Sequence, residues 1–104
     1  MYDTINVLEK YYSMTTTGNW ILPSHITAGK FHIVRKSTKR AYRIWNDTPA
    51  GRGNRDLRVY VTGIAGYAYV LRGTSCDVTG TEIMIRKQDT AAGRTLKGRY
   101  EELS

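Results

Sequence analysis

The chain has 104 residues, 40% of them apolar and 11% aromatic: too apolar for a disordered chain, enough for one modest core, too short for two. The formal net charge is +7, and residues 30–58 hold nine of the sixteen basic side chains against two acids, so the charges outside that window cancel. The single cysteine, Cys76, excludes an internal disulfide framework, and no run approaches the roughly 18 apolar residues of a membrane helix. The first residues are polar and acidic, without the basic-then-apolar order of a secretory signal. The expectation is one domain spanning residues 1–104, soluble and cytoplasmic.

Residues 3–14 carry helical periodicity. Ile5, Leu8 and Tyr12 fall at i, i+3 and i+7, and Val7, Tyr11 and Met14 form a second stripe. Asp3 or Thr4 can cap the free amides of the first turn, and three threonines followed by Gly18 end the pattern. From there on the chain reads as strands, near 19–22, 30–36, 39–46, 57–62, 67–72, 82–87 and 95–100, rich in Ile, Val, Tyr, Thr and Trp and separated by Gly, Pro, Asn, Asp and Ser. The expected fold is α+β, mainly β: one N-terminal helix packed on a curved antiparallel sheet of five to seven short strands, a small barrel or sandwich.

Within the basic window, a two-residue turn at Ser37 and Thr38 sets Lys36 opposite Lys39, Val34 opposite Ala41, Ile33 opposite Tyr42, His32 opposite Arg43 and Phe31 opposite Ile44. Alternation then places Phe31, Ile33, Tyr42 and Ile44 on a core face. His32, Lys36, Lys39 and Arg43 share the other face, with Lys30 beside Trp45 at its end. The loop that follows carries Arg52 between Gly51 and Gly53, then Arg55. Glycines beside arginines let backbone and guanidinium groups approach a phosphate. The loop lacks the Lys-Ser/Thr ending of a nucleotide-binding P-loop, which excludes that reading.

The next two strands add aromatic rings. A four-residue loop at 63–66 puts Arg58, Tyr60 and Thr62 on one face with Tyr67, Tyr69 and Leu71, and leaves Leu57, Val59, Val61, Ala68 and Val70 as a core set. Tyrosines on an outer sheet face beside an arginine suit the stacking of unpaired bases, and equally suit a protein interface.

Sites for chemistry are sparse. His25 and His32 stand at no metal-ligand spacing with Cys76 or a carboxylate, so neither metal nor cofactor is expected. Residues 72–80 read as a connecting loop, and Ser75 and Cys76 lack the flanking pattern of a nucleophile elbow. The ligands of a zinc finger, the RNA-recognition-motif signature and the helix-turn-helix pattern are absent.

The reading that follows is a non-enzymatic basic module that binds nucleic acid, DNA or RNA, through Lys30, Lys36, Lys39, Arg43, Arg52, Arg55 and Arg58, with Trp45, Tyr60, Tyr67 and Tyr69 beside them. The alternative is a small inhibitor or adaptor, of the kind made by phages and mobile elements, that docks on an acidic surface of a host or defence protein. A third is a small metal-independent ribonuclease built from a histidine, a cation and a tyrosine.

Overall fold

The computed structural model describes residues 17–89 and 93–103, and these form six antiparallel strands. They are β1 (Thr17–Leu22), β2 (Phe31–Asn46), β3 (Leu57–Val61), β4 (Ala68–Val70), β5 (Ser75–Lys87) and β6 (Leu96–Glu102). All six belong to one sheet in the order β1-β6-β2-β5-β3-β4, so β1 and β4 are its edges. The described chain is therefore all-β, which corrects the expected α+β class. No helix occurs among the described residues, and the helix expected over 3–14 lies outside them. Among the described residues no helix is long and apolar enough to cross a membrane.

The strand that organises the sheet is β2. No hairpin forms at Ser37 and Thr38: the two segments expected on either side are one 16-residue strand, paired with β5 on both sides of residues 36–39. A straight strand of that length would span about 50 Å, but the longest dimension of the whole fold is 38 Å. The strand therefore bends, and the bends coincide with two irregularities in the β2–β5 ladder. One lies between His32 and Val34. At the other, residues 36–39 of β2 bulge opposite Thr81 alone.

The bent β2–β5 ribbon joins two halves. Residues 31–35 of β2 and 82–87 of β5 lie with β3 and β4, and residues 40–46 of β2 and 75–80 of β5 lie with β6 and β1. Both halves close over one core. Trp20, Leu22, Tyr42, Ile44, Leu96 and Tyr100 come from one, and Phe31, Ile33, Val34, Leu57, Val59, Val70, Ile83 and Ile85 from the other. The core face foreseen for an imagined hairpin survives because the first irregularity buries Ile33 and Val34 in succession. That shifts the inward set from odd to even positions, as a two-residue turn would have done.

Residues 75–80, expected as loop, are the first half of β5. Gly80 is extended strand: a Cβ there would overlap Val61 Cγ1, so the glycine makes room for a core side chain crossing from β3. Buried polar groups then tie the loops down. Asn46, fully buried, donates through Nδ2 to the carbonyls of Arg55 (2.9 Å) and Val70 (3.1 Å) and accepts from Thr48 N–H and Oγ1. Lys87 is 3% exposed and donates through Nζ to the carbonyls of Pro23 and Arg94, clamping the β1–β2 loop to the β5–β6 loop. Burial pulls its pKa below the ordinary lysine value.

Candidate functional site

The outer face of the β2-β5-β3-β4 half gathers cations and tyrosines from four strands. Because partners across antiparallel strands share a face, Arg86, Arg58 and Tyr69 form one row, and His32, Met84 and Tyr60 form the next. Tyr67 joins the second row, its ring centroid 5.5 Å from that of Tyr60. Lys30, just before β2, places Nζ 4.3 Å from the Tyr60 ring centroid, and the Arg58 guanidinium lies 4.5 Å from that of Tyr67. Both distances are within the range of cation–π attraction.

Alternation put Arg58, Tyr60, Tyr67 and Tyr69 on one face, and the structure keeps them there. The pairing differs by two residues: Arg58 lies opposite Tyr69. A shift of two leaves every side chain on its original face. Gly63 and Gly66 both have positive φ, and the wider connection they allow sets that register.

The face is held in place by its own hydrogen bonds. Arg58 Nε donates to Gln88 Oε1 (2.6 Å) and Nη1 to Tyr60 Oη (3.3 Å). A guanidinium has five N–H donors, so three of Arg58's have no partner among the described residues. Tyr67 and Tyr69 are 46% and 48% exposed. The Tyr69 hydroxyl donates to Asp56 Oδ2 (2.8 Å), and this bond raises the phenol's pKa, keeping it protonated. The second Asp56 oxygen accepts from Arg72 N–H. On the far side of the face, Glu82 accepts from Thr62 Oγ1 and Arg35 Nε and meets His32 Nε2 at 3.2 Å. The Thr62 hydroxyl, with His32 and Arg35, holds Glu82 below the usual carboxylate range. Both acids at this face are thus engaged at its margins, and Lys30, Arg58 and Arg86 occupy its centre.

The remaining expected residues are elsewhere. Lys36 and Lys39 sit on the bulge of β2 and do not face each other. Arg43 and Trp45 are on the outer side of the other half, where Arg43 makes a two-pronged pair with Asp77 (2.7 and 2.9 Å) and Trp45 lies under the Arg99 guanidinium at 4.5 Å. Arg99 in turn grips Asp47 with two hydrogen bonds. Asp77 and Glu82 come from outside the basic window, so the fold neutralises part of an excess that looked uncompensated along the chain. In the Gly-Arg-Gly loop Arg52 is exposed, but the Arg55 guanidinium packs on Gly51 and that of Arg94 on Gly53. The glycines there seat arginine side chains of the same chain.

Arg86, Met84, His32 and Gln88 were not foreseen as part of the face. The signal for two of them was present: Glu82, Met84 and Arg86 alternate with Ile83 and Ile85. What the chain alone did not show was that this strand runs between β2 and β3.

His25 is exposed in the β1–β2 loop, and His32 is bound up with Glu82 and Arg35. Burial, with Asp77 adding to it, pushes the Cys76 thiol up to about 11, so it is protonated near neutrality and a poor nucleophile. Among the described residues no group of three His, Cys, Asp or Glu side chains is placed to hold a metal ion. No protein-family model matches the chain, and a search of curated proteins finds no match.

Proposed function

We propose that the protein binds nucleic acid through the outer face of β5, β3 and β4. The observation that carries this reading is Arg58: a guanidinium laid on the Tyr67 ring, fixed by Gln88 and Tyr60, with three donors left over and Arg86 opposite it. A pre-positioned cation loses little entropy on meeting a phosphate, and planar guanidinium groups match phosphate oxygens two at a time. Lys30 adds a third cation over the buried Tyr60 ring, and the exposed Tyr67 and Tyr69 rings can contact bases or sugars. The centre of the site is thus Lys30, Arg58, Tyr60, Tyr67, Tyr69 and Arg86.

Labelled oligonucleotides at about 50 mM salt, where even nonspecific phosphate contacts are strong, provide the test. Affinity is expected to fall with salt, and the double variant Arg58→Gln, Arg86→Gln to weaken binding at least about tenfold while keeping the circular dichroism spectrum. Arg43→Gln, on the other half of the sheet, is expected to leave affinity unchanged. Undetectable binding by the native protein refutes the function, and full affinity in the double variant refutes the site.

A second reading rests on Ile64 and Leu71, 62% and 49% exposed beside Tyr67 and Tyr69. Exposed apolar side chains next to tyrosine and arginine also suit the anchoring of an acidic protein surface, as in a small inhibitor or adaptor. A pull-down with and without nuclease separates the two: a partner that survives nuclease supports protein docking, and loss of all partners supports nucleic acid.

A further inference from the structure

Resting on the nucleic-acid reading, we infer that the face takes an unpaired strand, with successive bases on Tyr67 and Tyr69 and the phosphate between them on Arg58.

Tyr67, just before β4, and Tyr69, within it, both meet Arg58 and so share a face, and alternate residues of extended backbone stand about 6.8 Å apart. That is twice the ~3.4 Å spacing of stacked bases along a strand. Bases spread to this distance are unstacked, and each then offers a free π-face to a ring. A duplex keeps its bases stacked inside and shows a protein only phosphates and groove edges.

The two rings are pinned before anything binds. Tyr69 is tethered through its hydroxyl to Asp56, and Tyr67 contacts both the Arg58 guanidinium and the tilted Tyr60 ring, which are themselves joined by a hydrogen bond. Tyr67 and Tyr69 keep nearly half their surface exposed. A ring fixed before binding loses less entropy on stacking. Arg58 lies directly opposite Tyr69 and against Tyr67, so its unpartnered donors are next to both rings. Among the described residues β4 is an edge strand, with no further strand of the sheet beyond it.

The test is fluorescence anisotropy with a labelled single strand of about ten nucleotides and with a duplex of the same sequence, at matched salt. The single strand is expected to bind at least about tenfold tighter. Tyr67→Leu and Tyr69→Leu, which keep apolar bulk and remove the π-face, are each expected to weaken single-strand binding by about tenfold, a usual loss for one stacked base. They should do so with an unchanged salt slope, and Tyr67→Phe should retain affinity. Arg58→Gln should flatten the slope by about 0.7, the value of one phosphate on a single strand. Equal or tighter duplex binding overturns the unpaired-strand inference and leaves the nucleic-acid reading standing. A leucine variant of full affinity overturns the stacking role. Absence of binding to either form overturns both readings and leaves the face to a protein partner. The comparison of single strand with duplex uses the native protein, so it holds even if a variant fails to fold.

Discussion

Replacing Asn46 with alanine removes the polar hub that joins the end of β2 to the β2–β3 loop and to β4. The side chain is 0% exposed and makes four hydrogen bonds, to the carbonyls of Arg55 and Val70 and from the amide and hydroxyl of Thr48. A typical intramolecular hydrogen bond contributes about 1 kcal/mol net, and a buried group left without a partner costs about 1–3 kcal/mol. The Thr48 hydroxyl retains the Lys97 carbonyl, so one of the four losses is partly recovered. The expected cost is about 3–4 kcal/mol, a large share of the roughly 5–15 kcal/mol that stabilises a domain. Urea unfolding followed by circular dichroism measures it as a lower midpoint at constant slope.

Asn46→Asp sharpens the test, because a carboxylate there would set oxygen against the Arg55 and Val70 carbonyls with no donor between them. Burial raises the folded pKa of such a carboxyl above its unfolded value near 3.9, so the variant's deficit should be small at low pH and grow as pH rises through that value. A loss below about 1 kcal/mol in Asn46→Ala, or a deficit in Asn46→Asp that does not change with pH, would refute the reasoning.

Gly98→Ala should prevent stable folding or lower the melting temperature severely. Its Cβ would overlap the Trp45 carbonyl oxygen and lie 2.6 Å from the Trp20 ring, which itself donates to that carbonyl. Gly63→Ala meets nothing within 4 Å and suffers only from its positive φ, so it should cost about 1–2 kcal/mol. Comparable stability of the two variants would contradict this assignment. Stability should also fall in acid. Arg43 lowers the pKa of Asp77 from 3.8, and Thr62, with His32 and Arg35, lowers that of Glu82 from 4.5. Carboxyls depressed in the folded state contribute fully above their unfolded values, and the contribution disappears as pH falls through the folded ones. Melting temperatures recorded from about pH 6 to about pH 2 should therefore drop mainly below pH 4.5, and the drop should be shallower in Arg43→Gln.

Alternation along single strands was legible in the chain, and it separated core from surface well. Phe31, Ile33, Tyr42 and Ile44 are buried as read, and Leu57, Val59, Val61 and Val70 form the core side of β3 and β4. Charge position along the chain was a poorer guide to a surface. Arg43 and Arg58 belong to the same window, but one is paired with Asp77 and the other lies on Tyr67 in the opposite half of the sheet. Ser37 and Thr38 resembled a turn because they interrupt an apolar pattern. They continue a strand because β5, over thirty residues away, supplies a partner on both sides of the bulge.

By itself the sequence determined that one small β-rich domain with an excess of positive charge would form, and which side of most strands would be apolar. Side-chain alternation is a local property of extended backbone, so it needs no knowledge of neighbours. Strand order, the bends of the β2–β5 ribbon and the identity of the cationic face were decided only in three dimensions. They depend on pairings between distant segments: Arg58 meets Arg86 because β3 lies beside β5, and Arg43 is neutralised because β5 brings Asp77 to β2. A charge acts through its spatial neighbours, and in a sheet of order β1-β6-β2-β5-β3-β4 few of those are neighbours in sequence.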